Sequence, residues 1–239
     1  DLKAIGNEFE AQLAYNVDWR TGVALSGGIV QFEDRSSAGA FDDDPDPFPL
    51  ASATVNAGLG DAADARVRAI RSYVGAAGAI LDDLGSSGGE AQLEVRPFRP
   101  LSIDGRYLFL RYDDGNQRNT AIGRLLQEIW DQPKVKVGYR LTYDDTRERN
   151  PFFYTPEGFV GNEGVIVLDV APVEALRLSV ETGVGVGQER GGDAQAQASV
   201  IGNGNLRLAE RFSLYAGGGR SQAADFESFQ ISGGLSVTF

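Results

Sequence analysis

The 239-residue sequence holds no cysteine and no histidine. Without cysteine there are no disulfides, no thiolate metal site and no sulfur nucleophile. Without histidine the usual general base and the commonest metal ligand are both gone. Ser/His/Asp and Cys/His arrangements are therefore impossible, and neither enzymatic activity nor a metal or cofactor is expected. Positive charge is scarce too: 22 Lys and Arg stand against 34 Asp and Glu, a formal charge of −12. Such a balance does not suit nucleic acid. No apolar run is long enough for a helical span, and mean hydropathy is −0.22, so a helical membrane protein is excluded. A transmembrane β-barrel passes the same test, because alternating strands hide their apolar face from any averaging window. The chain opens at Asp1 without a basic or apolar leader, which reads as a processed or truncated start.

What the chain does have is alternation. Phe9, Ala11, Leu13 and Tyr15 alternate with Glu8, Glu10, Gln12 and Asn16; Val23, Leu25, Gly27 and Ile29 mark a second strand, and Ala51, Ala53, Val55, Ala57 and Leu59 a third. Stripes of period two specify strands with one apolar and one polar face. The clearest set Val135, Val137, Tyr139, Leu141 and Tyr143 against Lys134, Lys136, Gly138, Arg140 and Thr142. A longer one sets Leu176, Leu178, Val180, Thr182, Val184 and Val186 against Arg177, Ser179, Glu181, Gly183 and Gly185. Other stretches are less regular. Gly75–Gly89 reads as a loop or short helix, and Arg96–Pro100 (RPFRP) as a compact turn, since proline cannot join a central ladder. Asn119–Trp130 reads as a strand by its neighbours, although Ile122, Leu125, Leu126 and Ile129 also suit a helix face. Asp113–Asn116 (DDGN) is a turn signal, and Asp144 to Glu163 reads as a long loop.

Connections alternate in length along the chain. Short ones fall around Asp18, Gly60, Pro97, Gln132, Val173 and Glu210, and generally longer ones around Asp44, Leu81, Asn116, Pro151, Arg190 and Ala224. In outer-membrane barrels short turns face the periplasm and long loops face outside. The stripes count to about thirteen strands, and single-chain bacterial barrels usually have even numbers. The expected fold is therefore all-β, a transmembrane antiparallel up-and-down barrel of about fourteen strands, with roughly sixteen as the upper count. Residues 1–239 would form one outer-membrane domain, open to being the C-terminal part of a longer chain.

The polar face of such a barrel would carry Glu94, Asp104, Arg106, Lys134, Lys136, Arg140, Arg177, Glu181, Asn203, Arg207 and Tyr215. These groups suit a hydrated pore that guides a hydrophilic solute; the alternative is a small barrel filled by paired side chains. The acidic run Asp42, Asp43, Asp44 and Asp46 reads as a solvated external loop, since interleaved prolines and the lack of a closing Glu do not build a calcium cage.

The chain ends in FQISGGLSVTF, with Gln230, Gly233, Leu235, Val237 and a final Phe239. This resembles the C-terminal assembly signal of Gram-negative outer-membrane proteins. The resemblance implies handling by the barrel-assembly machinery and a place among outer-membrane lipid and lipopolysaccharide. At Asn150–Val160 the sequence NPFFYTPEGFV lies between a strand ending YDD and one beginning EGVIVLDV. That stretch resembles the C-terminal barrel of exopolysaccharide exporters with periplasmic tetratricopeptide repeats, of the cellulose and poly-N-acetylglucosamine secretion type. Tyr154, Pro156, Glu157 and Phe159 would match the family's extracellular loop motif. The resemblance implies a passive conduit for a glycan and a periplasmic helical-repeat scaffold as partner. Acidic groups such as Glu94, Asp104 and Glu181 would then favour a neutral or partly cationic polymer. Two competing readings remain. A general diffusion porin would use a constriction loop, for which Gly75–Gly89 is the candidate; an autotransporter-type translocator needs a helix through its pore, and Asp1–Gly6 is too short for one.

Overall fold

A computed structural model of the chain describes residues 4–18, 20–34, 47–74, 84–150, 155–210, 212–223 and 226–237. Within them there are thirteen strands and no helix. They are β1 (Ala4–Asn16), β2 (Gly22–Asp34), β3 (Phe48–Leu59), β4 (Ala63–Tyr73), β5 (Gly85–Phe98), β6 (Leu101–Tyr112) and β7 (Gln117–Asp131). There follow β8 (Lys134–Thr146), β9 (Phe159–Val173), β10 (Leu176–Gln188), β11 (Gln195–Ala209), β12 (Phe212–Ala223) and β13 (Phe226–Val237). Each strand pairs with the next in chain order, an antiparallel up-and-down sheet with β1 and β13 at the two ends of that order. The described residues thus hold one strand for each stripe of the sequence, thirteen and not the even number that barrel parity suggests.

Several boundaries differ from the sequence reading, each because pairing carries a strand past the end of its apolar stripe. Gly85–Gly89 is strand, since it pairs with 69–73 of β4 from Tyr73↔Gly85 to Ala69↔Gly89; residues 75–83 of that stretch lie outside the described residues. β5 continues through Pro97 to Phe98, and only 99–100 turn. Its ladder with β4 stops at Ala63↔Val95, so Pro97 lies beyond it and that ladder asks no N–H of it. β8 runs to Thr146 and β9 starts at Phe159, which trims the long loop to 147–158. The short connection around Val173 is 174–175, and β12 ends at Ala223 where β13 begins at Phe226, so the connection around Ala224 is no longer than the short ones. The acidic run Asp42–Asp46 lies outside the described residues. Asn119–Trp130 is strand within β7.

The chain divides into two compact units. Unit 1 comprises Asp1–Val95, Asp104–Ala121 and Tyr143–Gly158; unit 2 comprises Arg96–Ile103, Ile122–Thr142 and Phe159–Phe239. In unit 1, Val30, Phe48 and Leu50 form one buried cluster with Tyr73 packed against it, and Leu84 and Tyr112 form another with Val74 and Leu110. In unit 2 the buried cluster is Leu126, Val165 and Val167. These are small cores. Most of the apolar stripe is instead exposed, from Leu25 at 59% in unit 1 to Val184 at 68% in unit 2. Rows of exposed aliphatic side chains this long do not survive in water, and a bilayer covers them.

Leu141 lies near the middle of β8 on that exposed stripe. Leu141→Arg should lower the stability of the membrane-inserted protein by about 2–4 kcal/mol, the cost of a cation near the bilayer midplane. Thr142→Arg, on the opposite face, should cost much less. Urea unfolding of the vesicle-inserted protein checks both.

Candidate functional site

The polar face of unit 2 is built by strict alternation on five neighbouring strands. β7 contributes Arg124, β8 Arg140, β9 Glu163, β10 Glu181 and β11 Ser199. The Arg140 guanidinium reaches three of them: Nε donates to Glu163 Oε2 at 2.7 Å, Nη1 to Glu181 Oε1 at 2.6 Å and Nη2 to Ser199 Oγ at 2.6 Å. Arg124 Nη1 donates to the other oxygen of Glu181 at 2.8 Å, and Ser199 Oγ donates to Glu163 Oε1 at 3.2 Å. Gly183 makes room for this crossing, because a Cβ there would lie 2.7 Å from Ser199 Oγ and 2.8 Å from Arg140 Nη2. Two guanidiniums against two carboxylates leave the network without net charge. Glu181 is therefore not an open acidic group of the wall.

Toward the short turns, Lys134 pairs with Glu128 at 3.4 Å and Lys136 with Asp169 at 3.6 Å. Ser179 Oγ donates to the same Asp169 at 2.6 Å. Here Lys134, Arg177, Asn203 and Tyr215 meet around a cavity of about 970 Å³. Arg207 lies near the end of β11, half exposed, and its Nη2 donates to Glu174 Oε1 at 3.0 Å. In unit 1, Arg106 pairs with Glu90 at 2.8 Å, Asp104 is buried, and Glu94 lines a cavity of about 310 Å³ with Arg20, Arg66 and Gln92. The acidic trio is not a set of three open carboxylates, since Glu181 is held by two arginines. Arg124, Glu163 and Ser199 were not among the expected site residues. The parity of β7, β9 and β11 was the signal available for them.

The loop motif is partly described, with Tyr154 outside the described residues. Pro156 is fully buried, and its carbonyl accepts the Thr146 N–H at 2.7 Å. Glu157 accepts Arg149 Nε at 2.7 Å. Phe159 opens β9 instead of lying in the loop, and its ring sits 2.6 Å from where a Cβ on Gly187 would be. The segment 147–150 is stitched to the Asp113–Asn116 turn. Asn116 Nδ2 donates to the Glu148 carbonyl at 2.7 Å, its Oδ1 accepts the Glu148 N–H at 3.0 Å, and Asn150 Nδ2 donates to Asp114 at 3.1 Å.

In the same turn, two 2.7 Å hydrogen bonds from Arg71 hold the Asp113 carboxyl below the usual carboxylate range. A depressed folded-state pKa contributes stability above the unfolded value, about pH 4, which is lost as pH falls further. Asp113→Asn should therefore flatten the acid side of an unfolding-midpoint profile, read between roughly pH 5 and 3.

The C-terminal assembly residues lie in β13. Gly219 faces Gln230, Ala216 faces Gly233, Leu214 faces Leu235 and Phe212 faces Val237, while Phe239 lies outside the described residues. Leu214 is exposed on the apolar stripe, and the register sets Leu235 beside it.

No protein-family model matches the chain, and no curated protein does. Among solved structures, a bacterial polysaccharide outer membrane secretin matches with a TM-score of 0.67 at 11% identity, over 96% of this chain and 89% of that one. The translocator domain of the autotransporter NalP from Neisseria meningitidis matches at 0.46 and 10% identity, over 100% and 81% of the two chains. OmpT, an outer membrane protein of Vibrio cholerae, matches at 0.42 and 11%, over 99% and 96%. The secretin carries the fold: this chain has the fold of an outer-membrane β-barrel protein. Its exposed aliphatic stripes are the surface that an outer membrane covers.

Proposed function

We propose that this chain is an outer-membrane channel, a single barrel domain that serves as a passive conduit for a saccharide polymer. The observation that carries the reading is the polar face of unit 2. There guanidinium, carboxylate, amide and hydroxyl groups of five successive strands lie side by side and end at an open cavity. A wall of fixed, mutually satisfied polar groups suits a hydrophilic chain sliding past it better than a reaction centre. The fold shared with a polysaccharide secretin supports the choice of cargo, as does the aromatic–proline segment around Pro156 that resembles the tetratricopeptide-repeat exporters. With no histidine or cysteine, the chain carries its cargo without covalent chemistry. Its partners would be lipid and lipopolysaccharide at the apolar stripe and the barrel-assembly machinery at β13. A periplasmic helical-repeat scaffold would join them, as the resemblance to the tetratricopeptide-repeat exporters implies. Glu181 does not select a neutral or partly cationic polymer, because its carboxylate is bound by Arg124 and Arg140.

Purified protein in planar bilayers tests this reading. Stable conductance steps that long saccharide chains block and monosaccharides do not would support it. Steps indifferent to chain length would point to a general diffusion porin, and the absence of any conductance would refute the channel.

A further inference from the structure

We propose that the cavity at the short-turn end of unit 2 is a binding subsite for an acidic saccharide, a sugar bearing a carboxylate. The proposal rests on the channel reading and names the chemistry its cargo would carry. Three observations lead to it.

The first is a surplus cation. Of the charged groups that line the cavity, Asp169 is held by Lys136 and Ser179, and Lys134 shares Glu128. No hydrogen bond or ion pair engages the Arg177 side chain among the described residues. Asp131, the other charge at the rim, lies on the parity of Leu125 and Ile129, the apolar face. Among the described residues that line this cavity, Arg177 is therefore the guanidinium fork left open to it, and a fork of that shape matches a carboxylate with two parallel hydrogen bonds.

The second is an aromatic platform. Tyr215 pairs with Gly234 across β12 and β13. Its ring covers the glycine so closely that a Cβ there would lie 2.5 Å from Cζ and 2.8 Å from Cε1. The hydroxyl end of the ring thus lies over backbone, and Tyr215, 49% exposed, lines the cavity. An aromatic ring anchored at its hydroxyl end and half exposed to the cavity offers apolar surface to a flat apolar partner, as the C–H face of a pyranose is.

The third is a pair of amides. Asn203 and Asn205 lie on the same parity of β11, opposite Ser179 and Arg177 in the β10 register, and Asn205 faces Tyr215 across β12. Each amide offers a donor and an acceptor side by side, the complement of vicinal hydroxyls. Platform, amides and fork together select a hydroxyl-rich ring with an acid. A neutral sugar would leave the guanidinium unused.

The test is binding of tri-galacturonate and of maltotriose, a neutral sugar of equal length, to the full chain refolded in detergent. Titration calorimetry at low and at high salt would measure it, and heat-modifiable electrophoretic migration would confirm folding of every variant. The uronate should bind, more weakly at high salt, and Arg177→Gln should weaken it by about tenfold, the loss of a charge-assisted hydrogen bond. Maltotriose should bind more weakly than the uronate and respond little to Arg177→Gln. Tyr215→Ala should weaken both sugars. Equal binding of the two, an unchanged uronate affinity in Arg177→Gln, or binding of neither would overturn the subsite. Conductance of the same preparations separates the two claims. A channel that conducts but binds no uronate keeps the conduit and loses the subsite; uronate binding without conductance does the reverse.

Discussion

Arg140→Ala should lower the stability of the folded chain by about 3–5 kcal/mol, the range for removing one partner from a buried charged network. The side chain is 12% exposed and touches Glu163, which is 8% exposed, and Glu181, which is 13% exposed. Its loss strips Glu163 of its cation and leaves that carboxylate only the Ser199 hydroxyl. Glu181 would keep Arg124. The removal thus costs more than the net worth of the pairs, because a desolvated carboxylate is left behind. Arg140→Lys should recover part of the loss, since one ammonium cannot serve three acceptors lying in the directions of a planar fork. Unfolding midpoints in urea, in vesicles of fixed composition, measure the effect. A change below about 1 kcal/mol would mean that water reaches these carboxylates as it does at a surface pair.

The second large effect is expected at a glycine on β10, the strand that carries Glu181. A Cβ on Gly185 would stand 1.8 Å from the Asn162 carbonyl oxygen and 2.7 Å from the Glu163 Cα, both backbone atoms. No rotamer relieves contact with backbone, so β9 and β10 would have to part along their ladder. Gly185→Val should therefore cost more than about 3 kcal/mol, the upper end of overpacking, and should sharply reduce the heat-modifiable folded form. Gly202→Ala on β11 is the control, since nothing lies within 4 Å of its Cβ position. If both variants assemble equally well, the close approach of the two strands is wrong. Gly88 and Gly138 belong with Gly185, with Cβ positions 1.9 Å from the Phe109 oxygen and 2.0 Å from the Leu125 oxygen.

The stripes of β8 and β10 are legible from residues alone because every second side chain is apolar, and the exposed faces follow them without exception from Tyr139 to Tyr143 and from Leu178 to Val186. Element ends were harder. Gly85–Gly89 has no apolar residue to mark it as strand, and only its pairing with β4 does so. The run Val165–Leu168 is apolar on both faces, which hides its parity. Ile166 and Leu168 are exposed, whereas Val165 and Val167 pack with Leu126 on the polar face, and alternation alone does not tell the two pairs apart.

Ion-pair partners could not be read in advance. Arg140 and Glu181 are 41 residues apart, and their meeting depends on registers that no single strand encodes. For the same reason the sequence reads Glu163 as the end of a loop and Glu181 as a free acid. The stitching of Asn116 to Glu148 is another long-range pairing, supplied by two turns that each look local in sequence.

The central claim is that one face of each strand meets lipid and the other meets water, and the absence of cysteine makes it directly measurable. Single cysteines placed at Arg177, Leu178, Ser179 and Val180 of β10, and at Asn203, Asn205 and Leu206 of β11, would be exposed to a membrane-impermeant thiol reagent in the assembled outer membrane. Positions 177, 179, 203 and 205 should label, and positions 178, 180 and 206 should stay protected until detergent is added. Labelling that ignores this two-residue period, or that falls on the aliphatic positions, would contradict the membrane-spanning barrel and the hydrated face built on it.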